Sequence, residues 1–292
     1  MDTKTRFTIK EPVDFYDLVA AVQRGSKRRM QVMVGTDSLV ISGAKDDVIV
    51  KARMPLDRGG PSSVHEIVRL EVLTKVPHVF SVDALDMLGS VYGQMEKPDY
   101  ITGEITGEKT LVVETVKDSK DLVVGNRTIP LFPRIKSFPY GLSYERKEDW
   151  SRQTVWTFEA RAKDVLEATR DLMIVSGGRM GIRFGRAEGG VLFVGPPENP
   201  TDQRSIPPLE ISESQEEEEE DDSEATGYFS ASSLEHAFMS YQVAETCKLS
   251  LLRTVGVLEV VYRSERVRLS IDIAPTKFTV VKRGRKAVVS VS

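Results

Sequence analysis

Apolar and polar residues alternate over 5–10 (TRFTIK), which predicts a strand. Pro12 then suits the first turn of a helix, because its fixed φ and missing N–H cost nothing there. Val13, Phe15, Tyr16, Leu18, Val19 and Val22 recur at helical spacing up to residue 24, and Gly25 supplies a stop. Three Val-, Ile- and Met-rich segments at 30–37, 38–45 and 47–56 read as an antiparallel meander. A Gly- and Ser-rich gap at 58–63 follows, then a strand at 66–73. A second amphipathic helix is predicted over 82–95 with Asp83 at its N-terminus, and two strands near 100–106 and 109–116 close this half.

The second half repeats the order. A strand at 154–160 leads to a helix at 164–173, with Val165, Leu166, Ala168, Leu172 and Met173 on its apolar side. A hairpin spans 178–186 and 190–196, a Pro-marked strand lies at 204–212, a helix at 232–244, and three strands fall within 248–275. One supersecondary unit, strand–helix–strands–helix–strands, thus occurs twice at a period of roughly 110–150 residues, too long for a solenoid. The intervening 117–152 holds Lys117, Lys120, Pro130, Pro133 and Pro139 around Leu131-Phe132, and reads as an interdomain connector. The pattern predicts an α+β protein with a domain at 1–116, a connector at 117–152, a second domain at 153–281 and a tail at 282–292.

Charge changes this picture locally. The 292 residues carry 40 Lys+Arg and 44 Asp+Glu, a net charge of −4. Nine of the twelve residues from Glu213 to Glu224 (ESQEEEEEDDSE) are acidic, so the 213–226 region is expected to be a solvated loop. Without those nine acids, 35 acidic residues face 40 basic ones. Lys277, Lys282, Arg283, Arg285 and Lys286 form a basic C-terminal cluster, and without them the body is neutral. The whole-chain charge therefore says nothing about any one surface.

Several chemistries find no support. One cysteine, Cys247, allows no internal disulfide, and His65, His78 and His236 lack ligand spacing, so no metal or other cofactor is expected. No apolar run approaches the ~18 residues of a membrane helix. The nucleoside-triphosphate P-loop and the G-x-S-x-G elbow are both missing. Ser42-Gly43-Ala44-Lys45 fits S-x-x-K but ends a strand instead of opening a helix.

With those residues in view, the chain resembles the sliding-clamp family of the proliferating cell nuclear antigen type. Val257-Leu258-Glu259-Val260-Val261-Tyr262 is similar to the family's penultimate strand. Leu269-Ser270-Ile271-Asp272-Ile273-Ala274-Pro275 is similar to its last one. The helix at 13–24 with the meander behind it is similar too, and the order of elements matches through residues 5–281. The resemblance implies a non-enzymatic ring, usually a homotrimer, with sheets outside and helices around a hole that double-stranded DNA threads. It implies a DNA polymerase, other clamp-binding proteins and a clamp loader as partners, in replication and repair. A heteromeric checkpoint-type clamp and a viral clamp-like transcription or DNA-binding factor are variants of the same fold. An enzyme with an unrecognised site is the rival of another class.

Residue by residue, the resemblance implies a DNA-facing role for Arg24, Lys27, Arg28, Arg29, Lys163 and Arg170. It implies a partner-peptide pocket at Leu131, Phe132, Ile273 and Pro275. The basic cluster at 282–286 favours the nucleus or a viral replication site, and a prokaryotic source would place the protein in the cytoplasm.

Overall fold

The structure is a computed structural model of the chain. It describes residues 5–10, 12–35, 38–57, 68–72, 78–92, 98–106, 110–117, 122–133, 154–185, 190–199, 201–207, 209, 224–252, 255–264, 267–282 and 285–287. The chain divides into two units, Met1–Phe138 with Arg263–Leu269, and Pro139–Tyr262 with Ser270–Ser292.

The first unit runs β1 (Thr5–Ile9), α1 (Pro12–Arg24), β2 (Arg29–Val34), β3 (Ser38–Lys45), β4 (Val48–Asp57), β5 (Val68–Val72), β6 (His78–Asp83), α2 (Ala84–Tyr92), β7 (Tyr100–Thr106), β8 (Thr110–Lys117) and β9 (Leu122–Pro130). Its strands pair in the orders β6–β2–β3–β4 and β5–β1–β7–β8–β9. The expected meander is present, with a two-residue turn between Lys45 and Val48 and Asp46 at φ 49°. Hairpin turns of this length favour positive φ because it matches strand twist.

Alternation decides which face is buried. Met30, Val32 and Val34 of β2, Leu39 and Ile41 of β3, and Phe80 and Val82 of β6 are buried with Phe15, Leu18, Val19 and Val22 of α1. Asp83 begins α2 as expected, its Oδ1 accepting the N–H of Leu85 at 3.0 Å and of Asp86 at 3.3 Å.

The second unit runs β10 (Thr154–Arg161), α3 (Ala162–Met173), β11 (Arg179–Gly185), β12 (Gly190–Val194), β13 (Gln203–Ile206), β14 (Glu224–Ser230), α4 (Ala231–Phe238) with a 3-10 turn (Met239–Gln242), β15 (Thr246–Leu252), β16 (Leu258–Arg263), β17 (Arg268–Ile273), β18 (Lys277–Lys282) and β19 (Arg285–Ala287). The strand orders are β10–β15–β16–β17 and β13–β12–β11–β14–β18–β19. Val165, Leu166, Thr169 and Leu172 form the buried stripe of α3, and the Thr169 hydroxyl is satisfied by donating to Val165 O at 2.8 Å. Phe193 meets Phe238 edge-on at 6.2 Å, and the Tyr262 hydroxyl donates to Ala237 O at 3.0 Å. This unit is therefore tied by an aromatic pair and by a buried tyrosine whose polar tip has a partner.

Two hydrogen bonds make the internal repeat concrete. Ala84 N–H donates to Arg28 O at 2.9 Å where β2 faces the start of α2, and Ala231 N–H donates to Gly178 O at 3.0 Å where β11 faces the start of α4. Arg28 and Gly178 are thus equivalent, and so are Arg29 and Arg179, which lie opposite Asp83 and Ser230.

The structure departs from the expectations in two places. Residues 122–130 fall in the expected connector, yet they form β9, paired with β8 along its length apart from a bulge at Val124. Lys277, Lys282, Arg285 and Lys286 of the basic cluster lie in β18 and β19, and β18 extends the sheet beside β14. The reason is visible in Phe278, which is 1% exposed and anchors the strand in the core. Of the acidic segment, only Glu224–Thr226 lies within the described residues, as the start of β14.

Candidate functional site

The candidate DNA-facing residues lie at the end of the first helix in the first unit, and at both ends of the first helix in the second, where Lys163 is in the first turn of α3 and Arg170 in its last. In the first unit, Arg24 closes α1 and is half-buried. The turn behind it is fixed by Ser26, whose hydroxyl donates to Val22 O at 2.7 Å. Lys27, Arg28 and Arg29 then project as exposed cations. Lys27 Nζ lies 3.7 Å from Asp46 Oδ1, and Arg28 Nε 3.7 Å from Asp83 Oδ2. Both are surface pairs, each worth well under about 1 kcal/mol, so the cations remain available to another anion.

The equivalent turn of the second unit has a different chemistry. Ile174 is 86% exposed and Val175 53%. Ser176 is buried, and Gly177 (φ 58°) and Gly178 (φ 95°) follow. The left-handed backbone of these two positions suits glycine, and it leaves no side chain where the first unit carries Lys27 and Arg28. Along α3 the exposed residues are Lys163, Asp164, Glu167, Arg170 and Asp171, two cations against three anions. Arg170 Nε is also held 3.1 Å from Glu235 Oε1 of α4.

Arg29 has a different neighbour. Its guanidinium carbon lies 4.0 Å from the centroid of the Phe132 ring. Phe132 and Ser81 exchange backbone hydrogen bonds, with Ser81 N–H donating at 2.9 Å and Phe132 N–H at 2.8 Å. The Ser81 hydroxyl donates to Pro133 O at 2.8 Å. One candidate DNA residue and one candidate pocket residue are therefore in direct contact. Leu131 and Phe132 are half-buried, whereas Ile273 is fully buried and Pro275 is buried. Of the four candidate pocket residues, Leu131 and Phe132 thus present more surface than Ile273 and Pro275.

Residues that the pattern of the chain did not single out lie at two sheet margins. In the first unit β9 is the last strand of its sheet, with Val123 46% exposed, and Leu85 of α2 is 67% exposed. Arg127 Nη2 reaches Asp86 Oδ1 of α2 at 3.2 Å. A Cβ on Gly89 would sit 2.5 Å from Arg127 Nη1, so glycine there lets the guanidinium lie on the helix. In the second unit β13 is the last strand, and Arg204 Nε pairs with Asp171 Oδ2 of α3 at 3.4 Å, close to Ile174 and Val175. Both edges lack a further strand among the described residues, as do β6, β10 and β19 at the other ends of the strand orders. The β9 and β13 edges are each tied to a helix by an Arg–Asp pair and flanked by exposed apolar side chains.

No group of His, Cys, Asp and Glu with metal-binding geometry occurs among the described residues. Among them, no helix is long and apolar enough to cross a membrane. Cys247 is buried, and burial, with a smaller push from the Glu159 charge, raises its thiol to about 12.

No family model matches the chain, and no curated protein is similar to it in sequence. Solved structures match it closely in shape. The sliding clamp PCNA of Thermococcus kodakaraensis superposes with a TM-score of 0.64 at 13% identity, covering 93% of this chain and 99% of that one. The proliferating cellular nuclear antigen of Entamoeba histolytica gives 0.62 at 11%, covering 94% and 99%. The PCNA2–PCNA3 complex of Sulfolobus tokodaii gives 0.63 at 11%, covering 92% and 98%. The chain has the two-domain sliding-clamp fold over more than nine-tenths of its length.

Proposed function

We propose that the protein is a DNA sliding clamp, a non-catalytic subunit of a ring that encloses duplex DNA and tethers a polymerase and other replication or repair proteins. Beyond the fold, the observation that carries this reading is two open sheet margins, β9 in the first unit and β13 in the second, each tied to a helix by an Arg–Asp pair and flanked by exposed apolar side chains. Two different edges on one chain support a head-to-tail contact, which closes into a ring if the rotation per subunit allows it. Leu85 and Val123 on one margin, and Ile174 and Val175 beside the other, supply the apolar part of such a contact. Joining the edges also pairs backbone groups that otherwise face water.

Enclosure explains why few cations suffice. A threaded duplex leaves only by ring opening or past a free end, so each phosphate contact can be weak and sliding stays easy. Lys27 and Arg28 are the phosphate contacts of this reading, with Arg24 behind them and smaller parts for Lys163 and Arg170. Leu131 and Phe132 mark the start of the connector on which partner peptides dock, and a loader opens the ring. Stimulation of a DNA polymerase on primed circular DNA, lost on linear DNA with free ends, tests the tether. Equal stimulation on both would overturn it.

One observation favours a heteromeric version. The exposed face of α3 carries more anions than cations, and the turn after it keeps only Arg179, in the place of Arg29, with glycines in the places of Lys27 and Arg28. In a ring of unlike subunits, other chains supply the missing positive charge. The complex of two different PCNA chains from Sulfolobus tokodaii is one of the structures this chain matches. A mass measurement on the isolated chain separates the two versions: a trimer supports the homomeric ring, and a monomer that rings only with other chains supports the heteromeric one.

A further inference from the structure

We infer that Arg29 is a positioning residue for the connector, not a phosphate contact. The two units pin the chain to an edge strand at matching points. In the second, Thr276 donates to Tyr228 O through its N–H at 2.7 Å and its hydroxyl at 3.0 Å. Five ladder pairs from Tyr228↔Lys277 to Glu224↔Val281 then secure the following segment. In the first unit, the described contact between β6 and the chain beyond β9 is a single bridge, Ser81 with Phe132.

A single bridge in water is weak, because its net gain is small against the ordering of the residues that make it. Side chains reinforce it here. The Ser81 hydroxyl, in a fully buried residue, holds Pro133 O. Arg29 covers the other side by stacking its guanidinium on the Phe132 ring. A cation that faces an aromatic ring at 4.0 Å gives up part of its freedom to follow a mobile phosphate. Lys27 and Arg28, which face only exposed or half-exposed carboxylates, keep theirs.

The functional consequence rests on the connector being a partner dock. Arg29 then sets where Leu131 sits and the direction in which the connector leaves the sheet. The anchoring itself does not depend on that reading.

The experiment pairs amide hydrogen exchange with a salt titration of DNA retention. Arg29→Ala is expected to speed exchange of the Phe132 amide by about 2- to 30-fold, the range of a partly desolvated cation–π contact. The Ala84 amide, bonded to Arg28 O, stays unchanged and serves as the internal reference. Arg29→Lys, which keeps the charge but loses the planar stack, should recover only part of the protection. Phe132→Leu should match Arg29→Ala, and the double variant should add little, because both remove the same contact. Retention of the full-length protein on circular duplex should keep its slope of log affinity against log salt in Arg29→Ala. Unchanged Phe132 exchange, additive singles, or a slope lower by about one would each overturn the inference. Failure of wild type to be retained on circular DNA would count against the clamp reading alone, since the exchange arm needs no DNA.

Discussion

The two units share one fold and spend their side chains differently. At the turn after the first helix, the first unit carries Lys27 and Arg28 before Arg29, and the second carries Gly177 and Gly178 before Arg179, with Ile174 and Val175 exposed ahead of them. On the face of the sheet away from the helices, the matching rows also differ. Ser81, Gln31 and Ser42 make a buried polar row in the first unit. Tyr228, Gly181 and Val194 replace it in the second, where a Cβ on Gly181 would meet Val194 Cγ2 at 2.5 Å and the Tyr228 ring at 2.9 Å. The second unit thus fills with its own aromatic ring and its own strand β18 the places that the first leaves polar or pins by one bridge. A duplicated fold has diverged: more exposed charge at this turn in one copy, self-coverage by an added strand in the other.

The largest expected effect tests that self-coverage. Phe278→Ala should cost about 3–5 kcal/mol in urea unfolding, since it empties a fully buried site against Gly256. Phe132→Ala, half-buried, should cost only about 1–2 kcal/mol. Equal losses would erase the contrast between a built-in strand and a pinned connector. Next come the margins. Val123→Asp and Ile174→Asp should each weaken subunit association about tenfold or more, read by mass in solution, as expected for an apolar anchor. Ser232→Asp on α4 should not.

A smaller effect separates the two helix ends. Reversing Lys27 and Arg28 to Glu should lower the salt slope of DNA retention by about one per lost contact. Reversing Lys163 and Arg170 should do less, because Asp164, Glu167, Asp171 and Glu235 already offset them. Equal effects would mean that both units face the duplex alike.

The smallest effect is a pH dependence confined to the second unit. Cys247 has its folded thiol raised from 9.0 to about 12. The raised value means that the folded state holds this proton while the unfolded state releases it. This stability contribution is intact below pH 9.0 and is lost as pH climbs towards about 12. At pH 10 the loss is on the order of 1 kcal/mol, and Cys247→Ala should flatten that part of the urea-midpoint profile. An unaltered profile would show that other groups set it.

Helices and buried strands were legible because alternation and helical spacing report which faces are buried, as in Met30, Val32 and Val34 or Val165, Leu166 and Leu172. Margins were not. β9 (LVVGNRTIP) looks like a linker because an edge strand tolerates Gly125, Asn126 and Pro130, which have only one neighbouring strand to satisfy. β18 and β19 were hidden by their lysines and arginines, although Phe278 and Val280 do alternate. Among the candidate residues, the exposure of Lys27 and Arg28 follows from their charge alone. The Arg29–Phe132 stack does not, because it depends on which strand the chain meets after β9. The burial of Ile273 follows from its place in β17, one residue type being equally suited to core and pocket.

The acidic segment is held at both ends by backbone contacts. Leu209 N–H donates to Glu159 O at 3.0 Å, and Glu224 lies in register with Val281. Loop closure costs only about 0.6 kcal/mol more for each doubling of length. Added length between those two anchors therefore costs little in closure entropy. For the engineer, this segment is the place to splice in a reporter or affinity handle while every strand keeps its register.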